Sequence, residues 1–160
     1  MMISAEMAAA LNEQIGREFA ASLQYTNVAT YFDSENLQLL AKLFHKQSDE
    51  EREHALKLTN YVVQAGGQVR IPAVAAPQSQ FASAEEAVKL ALDWELQVTD
   101  QINALMDLAK AQNDHLSQAF LAWFVTEQLE EVSSMTRLLD LVRRAGGNVL
   151  LAEAYLVHGD

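Results

Sequence analysis

The sequence predicts an all-α fold, a four-helix bundle with a long crossover between its second and third helices and a short fifth helix at the C-terminus. Three observations carry this prediction. Apolar residues recur at steps of three and four along four long stretches. Glycine pairs close the second and fourth of them, in the related segments "AGGQV" (Ala65 to Val69) and "AGGNV" (Ala145 to Val149). Both prolines of the chain, Pro72 and Pro77, fall in one aperiodic stretch between the two halves.

The first helix is expected from about residue 4 to 33, with Ser4 as N-cap. Its inward stripe runs Ile3, Met7, Leu11, Ile15, Glu18, Ser22, Tyr25 and Ala29. "DSEN", Asp33 to Asn36, makes the turn into a second helix, from about 36 to 65, whose stripe is Leu37, Leu40, Phe44, Gln47, Glu51, His54, Leu58, Tyr61 and Ala65. "GGQVRIPAVAAPQSQFAS" follows, a connection of unusual length for a compact domain. A helix of about 28 residues is roughly 42 Å long, and about 18 extended residues reach roughly 60 Å. The connection can therefore return the chain to the opposite end of the bundle.

Ser83 with Glu86 three residues on forms a capping box for the third helix. That helix turns Val88, Leu92, Glu95, Val98 or Thr99, Ile102, Leu105 and Ala109 inward. After "QNDH", Gln112 to His115, the fourth presents Leu116, Phe120, Phe124, Glu127, Glu131, Ser134, Leu138, Leu141 and Ala145. "NVLLAEAYLV", Asn148 to Val157, reads as a short, very apolar fifth helix. Two helix hairpins joined by one long crossover give a bundle that is not a simple up-down one. With 160 residues, half of them hydrophobic, the chain is long enough for one domain, 1–160, and too short for two ordinary ones.

Every long helix thus turns at least one acid toward the core: Glu18, Glu51 with His54, Glu95, and Glu127 with Glu131. Burying an unpaired carboxylate costs several kcal/mol even after relaxation. The chain has 11 Lys plus Arg, and Arg17 and Arg52, each one step from an inward acid, should point elsewhere. A metal is the economical counter-charge. Oxygen-rich ligands with one imidazole suit iron or manganese, with zinc able to compete, and Glu51-x-x-His54 sets both donors on one helical face. The five methionines show no ligand spacing, and His45, His115 and His158 read as surface residues.

Composition narrows the classes further. A net charge of −11 disfavours nucleic acid and anionic membrane as partners and favours cations. The absence of cysteine excludes disulfides, thiolate metal sites and cysteine nucleophiles. Neither a signal peptide nor a membrane span is expected from "MMISAEMAAALNEQ", so the expected location is cytoplasmic.

"LNEQIGRE" with Glu18, "SDEEREHA" with Glu51 and His54, "DWE" with Glu95 and "WFVTEQLEE" with Glu127, Gln128, Glu130 and Glu131 occur in this order. Together they resemble the bacterial non-haem ferritins, over nearly the whole chain. The resemblance implies iron storage and detoxification by a ferroxidase that oxidises Fe(II) with dioxygen or peroxide and deposits ferric mineral in a homo-oligomeric cage of twenty-four subunits. It implies a first iron held by Glu18, Glu51 and His54, and a second near Glu51, Glu95 and Gln128 or Glu131, with Glu51 bridging. It also implies a third iron site at Glu50, Glu127, Glu130 and Glu131, and Tyr25 beside the centre, with Tyr25 and Trp123 as ordinary packing aromatics otherwise.

Departures from related patterns carry expectations too. The fourth helix has Glu127-x-x-Glu130 and no second Glu-x-x-His, so the iron pair should be asymmetric. Arg52 stands where bacterioferritin has its haem-ligating methionine, so haem is not expected. Where animal heavy-chain ferritins line a three-fold channel with acids, the aligned residues are Gln118 and Leu121, with Asp114 nearby as an alternative charge. Two rival readings use the same residues: a di-iron oxidase acting on an organic substrate, and a metal-free bundle whose acids face solvent.

Overall fold

In the computed structural model, which describes residues 1–158, five helices follow one another: α1 (Ala5–Ser34), α2 (Gln38–Gln64), α3 (Ala84–Ala111), α4 (His115–Ala145) and α5 (Leu150–His158). No strand occurs among the described residues. Gly159, Asp160 and the side chain of His158 lie outside them. The elements are those expected, with bounds moved by a residue or two.

Local chemistry explains where each helix begins and ends. Ser4 accepts from the Met7 amide at the start of α1, and Ser83 accepts from the Glu86 amide at the start of α3. The Glu86 carboxylate reaches back to the Ala82 amide, which completes the box one residue before the cap. Asn36 and Asn113 take left-handed φ values of 60° and 53° in the two tight turns, a conformation asparagine tolerates. Gly66 stops α2 with φ of 82°, where a Cβ would meet the backbone of Met1 at 3.1 Å.

α2 has no side-chain cap of its own, since Leu37 precedes it. Glu153 of α5 supplies one from far along the chain, accepting from the Leu39 and Leu40 amides at 2.9 Å each. A carboxylate at a helix N-terminus satisfies orphan N–H groups and opposes the helix dipole. Glu153→Ala should therefore destabilise the folded chain by about 1–2 kcal/mol. Urea unfolding followed by circular dichroism measures this, and an unchanged midpoint would leave the cap without energetic weight.

Hydrogen bonds fix the directions of the helices. Gln112, at the end of α3, bonds Ser4 and Glu6 at the start of α1, while Tyr25 bonds Ala91 and Glu95. α1 and α3 are therefore antiparallel. Tyr61 with Ser117 and Gln47 with Glu131 show the same for α2 and α4. α2 and α3 run parallel, which is what the crossover of residues 65–83 makes possible.

The crossover lies along α1 and is pinned to it at three points. Asn12 donates to the Gln68 carbonyl and accepts from the Arg70 amide, and Gln24 pairs reciprocally with the Gln78 backbone. Between these, Pro72 sits against Gly16 so closely that a Cβ there would lie 2.5 Å from the Pro72 ring. These contacts account for the buried polar residues Asn12 and Gln24 on a face of α1 that the apolar stripe does not use.

The apolar core is in two parts. One gathers Val28, Phe32, Leu40, Phe44, Val88 and Met135 at one end, and the other gathers Met7, Leu11, Ile15, Leu58, Ile102 and Phe124 at the opposite end. Between them lies a layer of polar side chains. α1 packs on α2, α3 on α4 and α1 on α3, but α2 and α4 have no Cα pair within 8 Å. No helix among the described residues is long and apolar enough to cross a membrane.

The expected stripes of α1 and α2 are buried at every position, and that of α3 is inward throughout. α4 differs. Leu116 and Ser134 are exposed and Phe120 and Leu141 only partly covered, whereas Ser117, Leu121, Gln128, Met135 and Val142 are buried. The inward face of α4 is turned by about one residue from the expected one. Leu121, one of the two residues aligned with the channel acids of animal heavy-chain ferritins, is wholly buried in the bundle. Gln118 is half-buried and Asp114 caps α4 through the Ser117 amide.

Candidate metal centre

The polar layer forms because each helix carries its acid at the same height. Glu18 on α1, Glu51 and His54 on α2, Glu95 on α3, and Gln128 and Glu131 on α4 are all buried. Three sets bring ligand atoms within 4.8 Å of one another: Glu18, Glu51 and His54; Glu51, Glu95 and Glu131; and His54, Glu127 and Glu131. Glu51 belongs to the first two, so these share a carboxylate.

Within the first set, the Nδ1 of His54 lies 3.2 Å from Glu51 Oε2. Gln14 donates to Glu18 Oε1 at 3.2 Å, while Glu18 Oε2 is buried with no hydrogen-bond partner. A buried carboxylate oxygen facing a second carboxylate and an imidazole is a lone pair without a cation. Burial holds the Glu18 carboxyl well above its usual range, and the nearby Glu51 charge adds to this. Glu51 is raised in the same way, by burial and by Glu95. No lysine or arginine among the described residues pairs with Glu18, Glu51, Glu95 or Glu131. Arg17 and Arg52 are exposed.

The second set is tied to its neighbours by amides and a phenol. Tyr25 donates to Glu95 Oε1 at 2.6 Å, and burial with the adjacent Glu95 charge keeps its hydroxyl protonated well above the ordinary range. The Nε2 of Gln128 lies 3.2 Å from Glu95 Oε2 and from Thr99 Oγ1. Gln128 thus presents a donor to Glu95. Glu131 is pushed up to about 8, by burial first and by Glu95 second.

The remaining acids sit farther out. Glu127, expected inward, is half-buried at the rim, with Oε1 3.9 Å from His54 Nε2. Glu50 is half-buried and raised by its burial, and Glu130 is exposed. All three line, with Gln47 and Glu131, a cavity of about 280 Å³ in the gap between α2 and α4. Trp123 and Phe124 stand edge-on to the His54 ring at 5.4 and 6.0 Å, and the Lys57 ammonium lies 3.3 Å above Trp123.

Sequence reasoning passed over Gln47 and Gln14. Gln47 already stood in the inward stripe as a polar residue, the signal that singled out the acids. Gln14 precedes Ile15 of the stripe, so spacing did not mark it. The arrangement can hold two cations that share one carboxylate, in oxygen-rich surroundings suited to hard or borderline metal ions.

The ferritin-like domain family matches residues 8–145. Ferritin BfrB of Mycobacterium tuberculosis is 43% identical over 148 residues, 92% of this chain and 82% of that one. A bacterial non-heme ferritin of Staphylococcus epidermidis is 35% identical over 145 residues, 91% of this chain and 87% of that one. Among solved structures, an open pore ferritin from the archaeon Archaeoglobus fulgidus superposes with a TM-score of 0.93 at 33% identity, covering 97% of this chain and 96% of the other.

Proposed function

Because this chain belongs to the ferritin family, we propose that it stores and detoxifies iron, oxidising Fe(II) at the buried paired site and holding the ferric product in a hollow cage. The observation that carries this reading is the buried, cation-free cluster in which Glu51 joins two ligand sets. Iron is the substrate here. Glu18, Glu51 and His54 bind the first Fe(II), Glu51 bridges, and Glu95 and Glu131 bind the second, with Gln128 steadying Glu95. Each ion gives one electron to dioxygen or peroxide, and carboxylate ligands favour the harder ferric product.

Tyr25 keeps its proton and orients Glu95 through the 2.6 Å bond. Glu50, Glu127, Glu130 and Glu131 supply a third site, and their cavity gives iron an acidic way out of the pair. Four acids against one lysine, Lys46, give that cavity a negative balance that suits a hydrated cation, and Leu43, Met135 and Leu138 complete its wall. In this reading the cage has twenty-four subunits, and assembly as such is supported by apolar surface that one chain leaves in water. Leu150, Leu151, Tyr155 and Val157 of α5 are each more than half exposed, and Leu129 of α4 is 75% exposed.

Aerobic loading of the purified assembly with Fe(II), followed by iron analysis per subunit and native mass measurement, tests both parts. A closed cage retaining many irons per subunit is the expected result. Retention of no more than two or three, on a monomer or dimer, would replace the storage reading with that of a di-iron oxidase.

A further inference from the structure

Gln47 is a buried amide among carboxylates, 7% exposed. Its Nε2 lies 2.9 Å from Glu51 Oε1 and 2.6 Å from Glu131 Oε2. The nitrogen of the amide, which can only donate, faces both carboxylates. Both protons of one nitrogen are thereby used, one on each acid. Glu51 is a neighbour one turn along the same helix. Glu131 is across the gap to α4, where no Cα pair comes within 8 Å. Among the described residues, the other side-chain hydrogen bond spanning that gap is Tyr61 with Ser117, four helical turns away.

Glu131 has two possible allegiances. Its carboxylate completes the set with Glu51 and Glu95, and also the set with His54 and Glu127, and it lines the acidic cavity. Nothing in α4 itself holds it to one side. The short bond from Gln47 does, and a carboxylate that accepts one N–H keeps lone pairs free for a cation.

Resting on the paired-site reading above, we propose that Gln47 is a positioning residue: it holds Glu131 beside Glu51 and Glu95, and so decides whether that acid serves the second iron or the cavity. A partner outside the ligand shell that orients a ligand changes metal affinity by roughly 10- to 100-fold when removed. The effect should fall on the second ion. Gln47 bonds neither Glu18 nor His54, so the first ion, at Glu18, Glu51 and His54, should be little affected.

The test is anaerobic titration of the whole assembly with Co(II), by calorimetry and visible absorbance. Gln47→Met keeps length and removes both donors, and Gln47→Leu is a second variant should the first assemble poorly. The expected result is roughly 10- to 100-fold weaker binding of the second ion, with the first changed by less than about threefold. In a Glu131→Gln background the same Gln47 substitution should cost the second ion much less, only what the bond to Glu51 contributes, because the carboxylate it positions across the gap is gone. A general loosening of the bundle would weaken both ions in either background. Wild-type affinity in both Gln47 variants, or equal losses with and without Glu131, would overturn the proposal. If the unsubstituted assembly binds fewer than two Co(II) per subunit, the paired-site reading itself fails, before any variant is made.

Discussion

Replacing Glu51 and His54 together by alanine is expected to slow the initial aerobic oxidation of Fe(II) by at least about 100-fold. The size follows from what the pair does. Glu51 belongs to both ligand sets and His54 supplies the imidazole of the first, so the substitution removes ligands from both ions at once. Losing an orienting partner alone costs roughly 10- to 100-fold, and losing the ligands themselves costs more. The readout is the ferric absorbance rise in the first seconds after mixing. Unchanged rates would mean that oxidation takes place elsewhere, at the acidic cavity or on the mineral surface. Without metal the same variant should lose less stability than the parent as pH rises, since it removes one of the carboxyls that burial holds above the ordinary range.

The second large effect concerns pH. Glu18, Glu51 and Glu131 have carboxyls raised above the ordinary 4.5, Glu131 to about 8. A carboxyl raised by folding binds more protons in the native state than in the unfolded one. Stability therefore falls as pH rises from about 4.5 through the folded value, and for Glu131 that window closes near 8. Each unit is worth about 1.4 kcal/mol, so the metal-free protein should lose on the order of a few kcal/mol between pH 5 and pH 8. Divalent cations replace the protons. Thermal unfolding with a chelator should show the decline, and unfolding with Zn(II) should remove it, with the larger gain at pH 8. A flat profile in the chelator would mean that solvent or a bound cation already neutralises the layer.

The stripes of α1, α2 and α3 were legible because each of those helices has one apolar face, and an acid within it stands out against its neighbours. Glu18, Glu51, His54 and Glu95 were found in this way and are buried together. α4 was less legible. Between Leu116 and Leu129 it carries Phe120, Leu121, Trp123, Phe124 and Val125, so two stripes one residue apart fit nearly as well. The choice between them rests on which side chains fill the gap beside α2 and α3, and on surface that a lone chain leaves exposed, such as Val125 and Leu129. Neither is a property of local spacing. Gln128 therefore follows from the resemblance and not from spacing, and Glu127 lies nearer the surface than its spacing implies. The Glu153 cap on α2 was beyond sequence reasoning for a similar reason, since it joins residues far apart in the chain.

The polar layer between the two apolar clusters has a consequence for how the helices find their alignment. A helix that slid one turn, about 5.4 Å, along its neighbour would carry its acid out of the layer and against Phe44, Leu40, Leu58 or Ile102. Apolar contacts alone tolerate such slippage, since leucine on leucine packs nearly as well one turn along. Charge on phenylalanine does not. The acids that would hold iron thus also act as a ruler, rejecting misaligned bundles that a uniformly apolar core would accept.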